Sequence, residues 1–304
     1  MVAAKAGHSS VVGRLLEAGA PWNALDKNGL CAGEHAEAAG HQDVVNQLVV
    51  AGCRAELILA AAEQHVRPNG QVSNQDFLAR SVRYSSSNDR ILDEDGEAVM
   101  MEWEQPLMEA HAEAICCSGG DILNVGFGLG LIDAAIQRRK PRSHTIIEAH
   151  PDVHKKMLDT GWDKKEGVKI VFARWQEVLP GLGPFDGIFF DTYGEYYDAD
   201  MREFHSLLPK ILKPGGVYSF FNGLVPTNPF FQAVYRQIVD MEMAAMGIET
   251  TFISLPVDAP DESVWKGVKH RYWCSDAYYL PVCEYIEADH GGESQAESRT
   301  PPSS

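Results

Sequence analysis

Two apolar runs, each ending in a residue type that such runs rarely tolerate, constrain this chain most. Asp121-Ile122-Leu123-Asn124-Val125 feeds directly into Gly126-Phe127-Gly128-Leu129-Gly130, and Phe185-Asp186-Gly187-Ile188-Phe189-Phe190 ends on Asp191-Thr192-Tyr193. Short apolar runs bounded by turn residues read as strands buried on both faces, as in a parallel sheet. The first run predicts a strand opening into a glycine turn that can receive a nucleotide-like ligand at the next helix N-terminus. The second predicts a strand delivering a carboxylate to the same crevice, where it suits a cationic nitrogen.

The rest of the chain after residue 72 supports this frame. Strands are predicted at 121–127, 143–149, 169–174, 185–191, 215–221, 249–256 and 271–281, with helices at about 101–117, 129–139, 151–161, 200–212 and 229–247. Alternating strands and helices imply an α/β domain with a parallel sheet covered on both faces. The last two strands follow one another without a helix, so an antiparallel edge is expected. Arg67-Pro68-Asn69-Gly70 marks a boundary. The expected organisation is a small helical segment over 1–66, an α/β domain over 72–286 and a disordered tail over 287–304.

The helical segment carries an internal repeat. Ala6-Gly7-His8 followed by Val11-Val12 returns as Ala39-Gly40-His41 followed by Val44-Val45, a period of 33 from position 6 to position 39. Ala18-Gly19 returns as Ala51-Gly52. A helical repeat of that period resembles ankyrin repeats, although Cys31-Ala32-Gly33-Glu34 stands where the usual Thr-Pro-Leu-His would be. Fewer than two full repeats are visible, and stacked repeats need neighbours. The segment is expected either to lean on the following domain or to continue upstream, and to serve as a protein-binding surface or a structural cap.

Composition excludes several classes. The net charge of −17 argues against nucleic acid as the main partner and is compatible with a basic protein substrate. With no unbroken apolar stretch near 20 residues, no membrane partner is expected, and the chain is expected to be soluble and cytoplasmic, with the nucleus also open to it. Six cysteines form no CxxC pair and no zinc spacing, so reduced buried thiols and no metal are expected.

Glu148 lies 22 residues beyond Gly126 at the end of the second strand, where an acidic side chain can hold both ribose hydroxyls. The glycines run G-x-G-x-G, without the third glycine of a dinucleotide fingerprint. Leu212-Lys213-Pro214-Gly215-Gly216 then leads from a helix into a strand. Together these resemble the class I S-adenosylmethionine-dependent methyltransferases, with a Rossmann-like sheet. Guanidinium nitrogens are poor nucleophiles, so an enzyme that methylates one must hold it with carboxylates. Asp191 supplies one; Glu104 is the candidate for the other, its alternative being a helix-start carboxylate.

Val99-Met100, Trp103-Glu104, Pro106 and Met108, then Val125-Gly126-Phe127-Gly128, Ile146-Ile147-Glu148, Trp175 and Asp191-Thr192-Tyr193 resemble guanidinoacetate N-methyltransferase. The chain resembles still more the related protein arginine N5-methyltransferases, over about residues 77–285. Gly194-Glu195-Tyr196 replaces the proline that follows the small-molecule enzyme's Asp-Thr-Tyr. The loop Phe221-Asn222-Gly223-Leu224-Val225-Pro226-Thr227-Asn228 and the segment from Arg271 to Cys283 are similar to the N5 family. Ankyrin-like repeats also occur in that family.

The resemblance implies that Met100 and Met108 line the cofactor's methionine end, that Val125, Gly126, Phe127, Gly128, Leu129 and Gly130 form the turn beneath it, and that Glu148 holds the ribose. It places Trp175 and Gln176 near the adenine, Tyr84 on a lid, and Asp191 with Glu104 around the guanidinium. His150 either touches the adenosine or is a solvated loop histidine, while His111 and His205 read as satisfied helix residues. Phe189, Phe190, Phe220 and Phe221 read as buried strand. The expected activity is transfer of a methyl from S-adenosyl-L-methionine to the δ nitrogen of a protein arginine. The alternatives are a small guanidino-acid methyltransferase and an inactive binding protein.

Overall fold

The computed structural model describes residues 1–66, 75–193, 197–225, 228–258 and 261–286. The boundary at Arg67 to Gly70, the Gly194-Glu195-Tyr196 stretch, Pro226-Thr227 and the tail from 287 lie outside the described residues.

Four helices come first: α1 (Val2–Lys5), α2 (Ser9–Glu17), α3 (Ala32–Ala38) and α4 (Gln42–Val66). The repeated glycines Gly7 and Gly40 take the same left-handed turn, φ +71° and +74°, one residue ahead of His8 and His41. The Asp26 carboxylate accepts the N–H groups of Asn28 and Leu30 at 2.7 and 3.1 Å, closing the turn before α3. Cys31 then caps α3, its N–H going to Glu34 at 2.7 Å.

The repeat breaks at its second end. Ala18-Gly19 terminates α2, whereas Ala51-Gly52 lies inside α4. At Gly52 a Cβ would sit 3.0 Å from both the Trp22 ring and Val234, so this glycine serves close helix packing and not a turn. The window Gln42–Ala62 reaches a mean hydropathy of 1.5, long and apolar enough to cross a membrane by length and composition alone. This corrects the reading of the sequence by unbroken runs, because Asn46, Gln47, Arg54 and Glu56 interrupt the apolar residues without lowering the average enough. One face of α4 packs into a core shared with Phe230, Val234 and Ile238; Val50, Ile58 and Leu59 are exposed.

After α5 (Gln75–Ala79) comes a three-stranded antiparallel sheet of β1 (Arg83–Tyr84), β2 (Arg90–Leu92) and β3 (Ala98–Met101). It is illegible in the sequence, because strands of two to four residues are too short to show a period.

The α/β body runs α6 (Gln105–Ile115), β4 (Asp121–Val125), α7 (Leu131–Arg138), β5 (Ser143–Glu148), α8 (Pro151–Asp159), β6 (Val168–Phe172), α9 (Trp175–Val178), β7 (Phe185–Phe190), α10 (Tyr197–His205), α11 (Leu208–Ile211), β8 (Leu212–Phe220), α12 (Pro229–Ala244), β9 (Ile248–Pro256) and β10 (Ala277–Tyr285). The strand order is β6-β5-β4-β7-β8-β10-β9. Strands β4 to β8 pair in parallel, and β10 runs antiparallel to both neighbours. The reversed strand therefore lies inside the sheet, with β9 at the edge. Chain order reverses beside β4: β5 and β6 extend one way, β7 and β8 the other. That switch point opens a crevice beyond the carboxyl ends of β4 and β7.

The last strand begins at 277 and not 271. Residues 270–276 stay out of the sheet because Tyr272 and Trp273 pack sideways against Trp103, with ring centroids 5.8 and 6.0 Å away. All six cysteines are free; Cys117 and Cys274 are exposed, against the expectation that all would be buried. Among the described residues no group of His, Cys, Asp or Glu could hold a metal ion.

Candidate active site

Backbone geometry puts the two key turns side by side. Val125 of β4 pairs with Phe190 of β7, and the Asp191 N–H donates to the Val125 carbonyl at 2.9 Å. Gly126 has φ +96°, and a Cβ there would fall 1.8 Å from the Asp191 carbonyl oxygen. Only glycine lets the two strand ends approach this closely. Gly128 turns again at φ +55°, where a Cβ would meet the Met100 sulfur at 2.4 Å. The small sheet thus lies on the glycine turn: the Leu129 N–H points at the Met100 sulfur, 3.2 Å away, and the Tyr84 hydroxyl donates to the Gly128 carbonyl at 3.3 Å.

Between these elements lies a cavity of about 430 Å³, within the range of small-molecule sites. Of the candidate site residues, Met100, Glu104, Val125, Gly126, Phe127, Gly128, Glu148, His150, Trp175, Gln176 and Asp191 line it. Four expected residues stand back from it. Met108 is fully buried on the inner face of α6 with Ala112 and Ile115. Gly130 starts α7 at φ +73°; Leu129 and Tyr84 act through the contacts just given.

The buried Glu148 carboxylate is an organiser. Oε2 accepts the Phe127 N–H at 2.9 Å and Oε1 the His150 N–H at 2.6 Å, tying the loops after β4 and β5 together. Burial pushes its carboxyl above the usual range against these opposing N–H bonds. His150 is no solvated loop residue: at 2% exposure, it receives the Asp152 N–H on Nδ1 at 3.2 Å, capping α8 ahead of Pro151. Its Nε2–H donates to the Arg80 carbonyl at 2.9 Å.

At the other end, Glu104 and Asp191 face the same space. Glu104 is 3% exposed. Its Oε1 accepts the Met101 N–H at 3.0 Å and the Tyr272 hydroxyl. Burial raises its carboxyl to about 7 despite those two donors. The Asp191 carboxylate accepts no hydrogen bond among the described residues, and burial followed by the charge of Glu104 pushes it well above the usual range. Two carboxylates lining one cavity oppose each other's ionisation, and a cation between them would favour the charged form of both. Glu104 stands at the start of α6, as a helix-start carboxylate would, and also lines the cavity beside Asp191.

Other cavity residues escaped sequence reasoning. Phe77 packs on His150 and Tyr193 at 4.9 and 4.7 Å, and Tyr193 donates to Asp93 at 3.3 Å. Phe189 and Phe221, read from sequence as buried strand, line the wall with Tyr272 and Trp273. Behind that wall the Ser219 hydroxyl donates to the Pro281 carbonyl, so it accepts from His111 Nδ1 at 2.7 Å, leaving Nε2 to accept the Tyr278 hydroxyl at 2.7 Å. Burial drops His111 to about 3 and keeps it neutral.

The strand order, with one reversed strand and a ligand crevice over the central parallel pair, is the architecture of class I S-adenosylmethionine-dependent methyltransferases. The glycine cradle, the buried acid at the end of β5 and the apolar walls suit that cofactor's ribose, adenine and sulfonium parts. The guanidinoacetate N-methyltransferase family matches residues 66–252. Fungal proteins named protein arginine N-methyltransferase 2 are similar as well. The one from Yarrowia lipolytica is 37% identical over 240 residues, covering 74% of this chain and 50% of its own. That from Aspergillus oryzae is 33% identical over 328 residues, covering 92% and 78%, and that from Cryptococcus neoformans 35% over 304 residues, covering 89% and 80%. The chain therefore spans half the length of the Yarrowia relative and over three quarters of the other two. It belongs to this arginine methyltransferase family, and its cofactor is S-adenosylmethionine.

Proposed function

We propose that the chain methylates the internal δ nitrogen of arginine residues in a protein substrate. The observation that carries this is the pair of buried Glu104 and half-buried Asp191, one partly satisfied and one bare, lining the same cavity. Bound S-adenosylmethionine supplies an electrophilic sulfonium methyl. The turn from Val125 to Gly130 with Met100 would hold its methionine end, Glu148 its ribose, and Trp175 with Gln176 the adenine side.

Asp191 accepts the N–H of the attacking nitrogen, localising the lone pair there, and takes the proton as the new C–N bond forms and the C–S bond breaks. Glu104 holds an outer nitrogen. Phe77, Phe221 and Trp273 exclude water, which strengthens both contacts. The loop after β8 supports a protein substrate over a small guanidino acid. The Asn222 backbone N–H goes to the Tyr278 hydroxyl at 2.8 Å and its side-chain amide donates to the Tyr279 carbonyl at 2.9 Å, so its donors face away from a free carboxylate. The net charge of −17 suits a basic protein partner. We further propose that the helices of 1–66 are ankyrin-like repeats offering a protein-binding surface, in the cytoplasm or nucleus.

The test is transfer of labelled methyl from the cofactor into an undermethylated cell extract, followed by hydrolysis of the protein to amino acids. δ-Methylarginine in the hydrolysate is expected. Label confined to small molecules would move the assignment to a guanidino-acid enzyme.

The pair also sets a pH dependence. Below about 7 Glu104 holds its proton, and Asp191 shifts in the same direction. A guanidinium stays charged throughout, so the protonated pocket loses its attraction for substrate. With fixed protein substrate, kcat/KM is expected to rise about tenfold per pH unit below neutrality and level off above it. An acid limb centred near 4 would show both carboxylates titrating as exposed groups.

A further inference from the structure

Glu104 and Asp191 are unequally free, and the difference traces to a residue far away in sequence. The Trp103 indole N–H donates to the Tyr272 hydroxyl at 3.0 Å, and that hydroxyl donates on to Glu104 Oε1. Together with the Met101 N–H at 3.0 Å, this gives Oε1 two donors and leaves Oε2 alone for substrate. Asp191 keeps both oxygens. The aromatic surroundings fix the relay: Tyr272 lies edge-on to Trp265 at 5.1 Å and beside Trp103 at 5.8 Å.

A guanidinium offers a carboxylate two bidentate edges, an end edge of two outer nitrogens and a side edge of one outer and the internal nitrogen. A carboxylate with one free oxygen can fork with neither. We infer that Tyr272 is a positioning residue that holds Glu104 to a single hydrogen bond, so that Asp191 alone forks on the side edge and the internal nitrogen is the one presented for methylation. This inference rests on the function proposed above and names what selects the nitrogen. Without the Tyr272 hydroxyl, Oε1 keeps only the Met101 N–H and regains a free lone pair, so Glu104 can fork as well and turn the guanidinium, bringing an outer nitrogen to the methyl.

The same hydrogen bond opposes the upward push of burial on Glu104. The other groups facing that carboxylate are Asp191 beyond β7 and, through their charge coupling to it, the hydroxyls of Tyr272 and of Tyr278 on β10. Both tyrosines stay protonated, so the acid limb belongs to the two carboxylates.

The test compares the wild-type chain with Tyr272→Phe and Trp103→Phe on one protein substrate, reading kcat/KM against pH and the ratio of δ-methylarginine to outer-nitrogen methylarginine after hydrolysis. For Tyr272→Phe the expected result is a loss of tenfold or more in kcat/KM at pH 7, an acid limb moved to higher pH, and outer-nitrogen product where the wild type gives none. Trp103→Phe leaves the phenol but removes its donor, and should shift the limb and the product ratio the same way by less. Cofactor affinity measured by calorimetry serves as the control for folding. A Tyr272→Phe enzyme with the wild-type limb and product ratio overturns the inference, whatever its rate. Outer-nitrogen product from the wild type itself overturns the δ-nitrogen function instead.

Discussion

Asp191→Asn is expected to lower turnover by about a thousandfold while cofactor affinity stays within about twofold of wild type. The asymmetry follows from where the carboxylate points. Its backbone N–H is tied to Val125 at 2.9 Å and its carbonyl sits against Gly126, so the main chain at the strand end is fixed whatever the side chain. The carboxylate itself accepts nothing among the described residues and faces the cavity, so an amide of the same shape disturbs no internal contact. What changes is the interaction with substrate. An asparagine replaces one acceptor by an N–H pair aimed at N–H groups, and a neutral group replaces the charge that localises the nitrogen lone pair. Glu104 cannot take over, because its Oε1 is occupied by Met101 and Tyr272. Single-turnover rates with saturating substrate and calorimetric titration of the cofactor check both halves. Turnover within fivefold of wild type would remove Asp191 from the chemistry; a large loss of cofactor affinity would move it to the cofactor's side of the cavity.

The parts of this site that were legible in the sequence are those held by local chain direction. β4 and β7 show as apolar runs because both faces of a parallel strand are buried, and Gly126 and Asp191 follow them directly. Glu148 is legible for the same reason, at the end of β5, although its two backbone N–H partners are not. The illegible parts arrive by packing across long sequence separations. Tyr272 reaches Glu104 over 168 residues and the Tyr84 hydroxyl reaches Gly128 over 44, with no periodicity to announce either. The resemblance puts Met108 at the cofactor, yet its side of α6 turns to the core with Ala112 and Ile115. Gly52 repeats Gly19 in sequence but not in role: it is there because α12 and Trp22 come within 3.0 Å of its Cβ position.

That close packing yields the largest expected effect on stability. Phe230, on the first turn of α12, is 1% exposed in the core shared with the N-terminal helices. Its ring fills the space where a Cβ on Gly33 would lie, 2.2 Å away, and tilts against Trp22 and Phe231 at 6.3 and 6.2 Å. Phe230→Ala should cost about 3–5 kcal/mol, the transfer loss plus the cavity left where α3, α4 and α12 meet. For a chain of this size that corresponds to a fall in Tm on the order of 10 °C by calorimetry. The loss should open residues 1–66 first, read as faster hydrogen exchange in α3 and α4 than in β4 or β7, because three of the links between the two parts are made at α12 or its cap residue. Asn228 donates to Glu34 at 3.1 Å, the Tyr235 hydroxyl to Glu56 at 3.1 Å, and the Cys53 thiol to the Val234 carbonyl at 3.5 Å. Asn228 also caps α12 by accepting the Phe231 N–H at 2.9 Å, and Glu34 Oε2 accepts the Cys31 N–H as well as the Asn228 amide. One carboxylate thus joins the start of α3 to the start of α12, and α12 begins where the loop carrying Phe221 and Asn222 off the cavity wall ends. The variant should therefore also raise KM for the protein substrate, with kcat changed less. A Tm within about 3 °C of wild type would show that the N-terminal helices and α12 do not share a core.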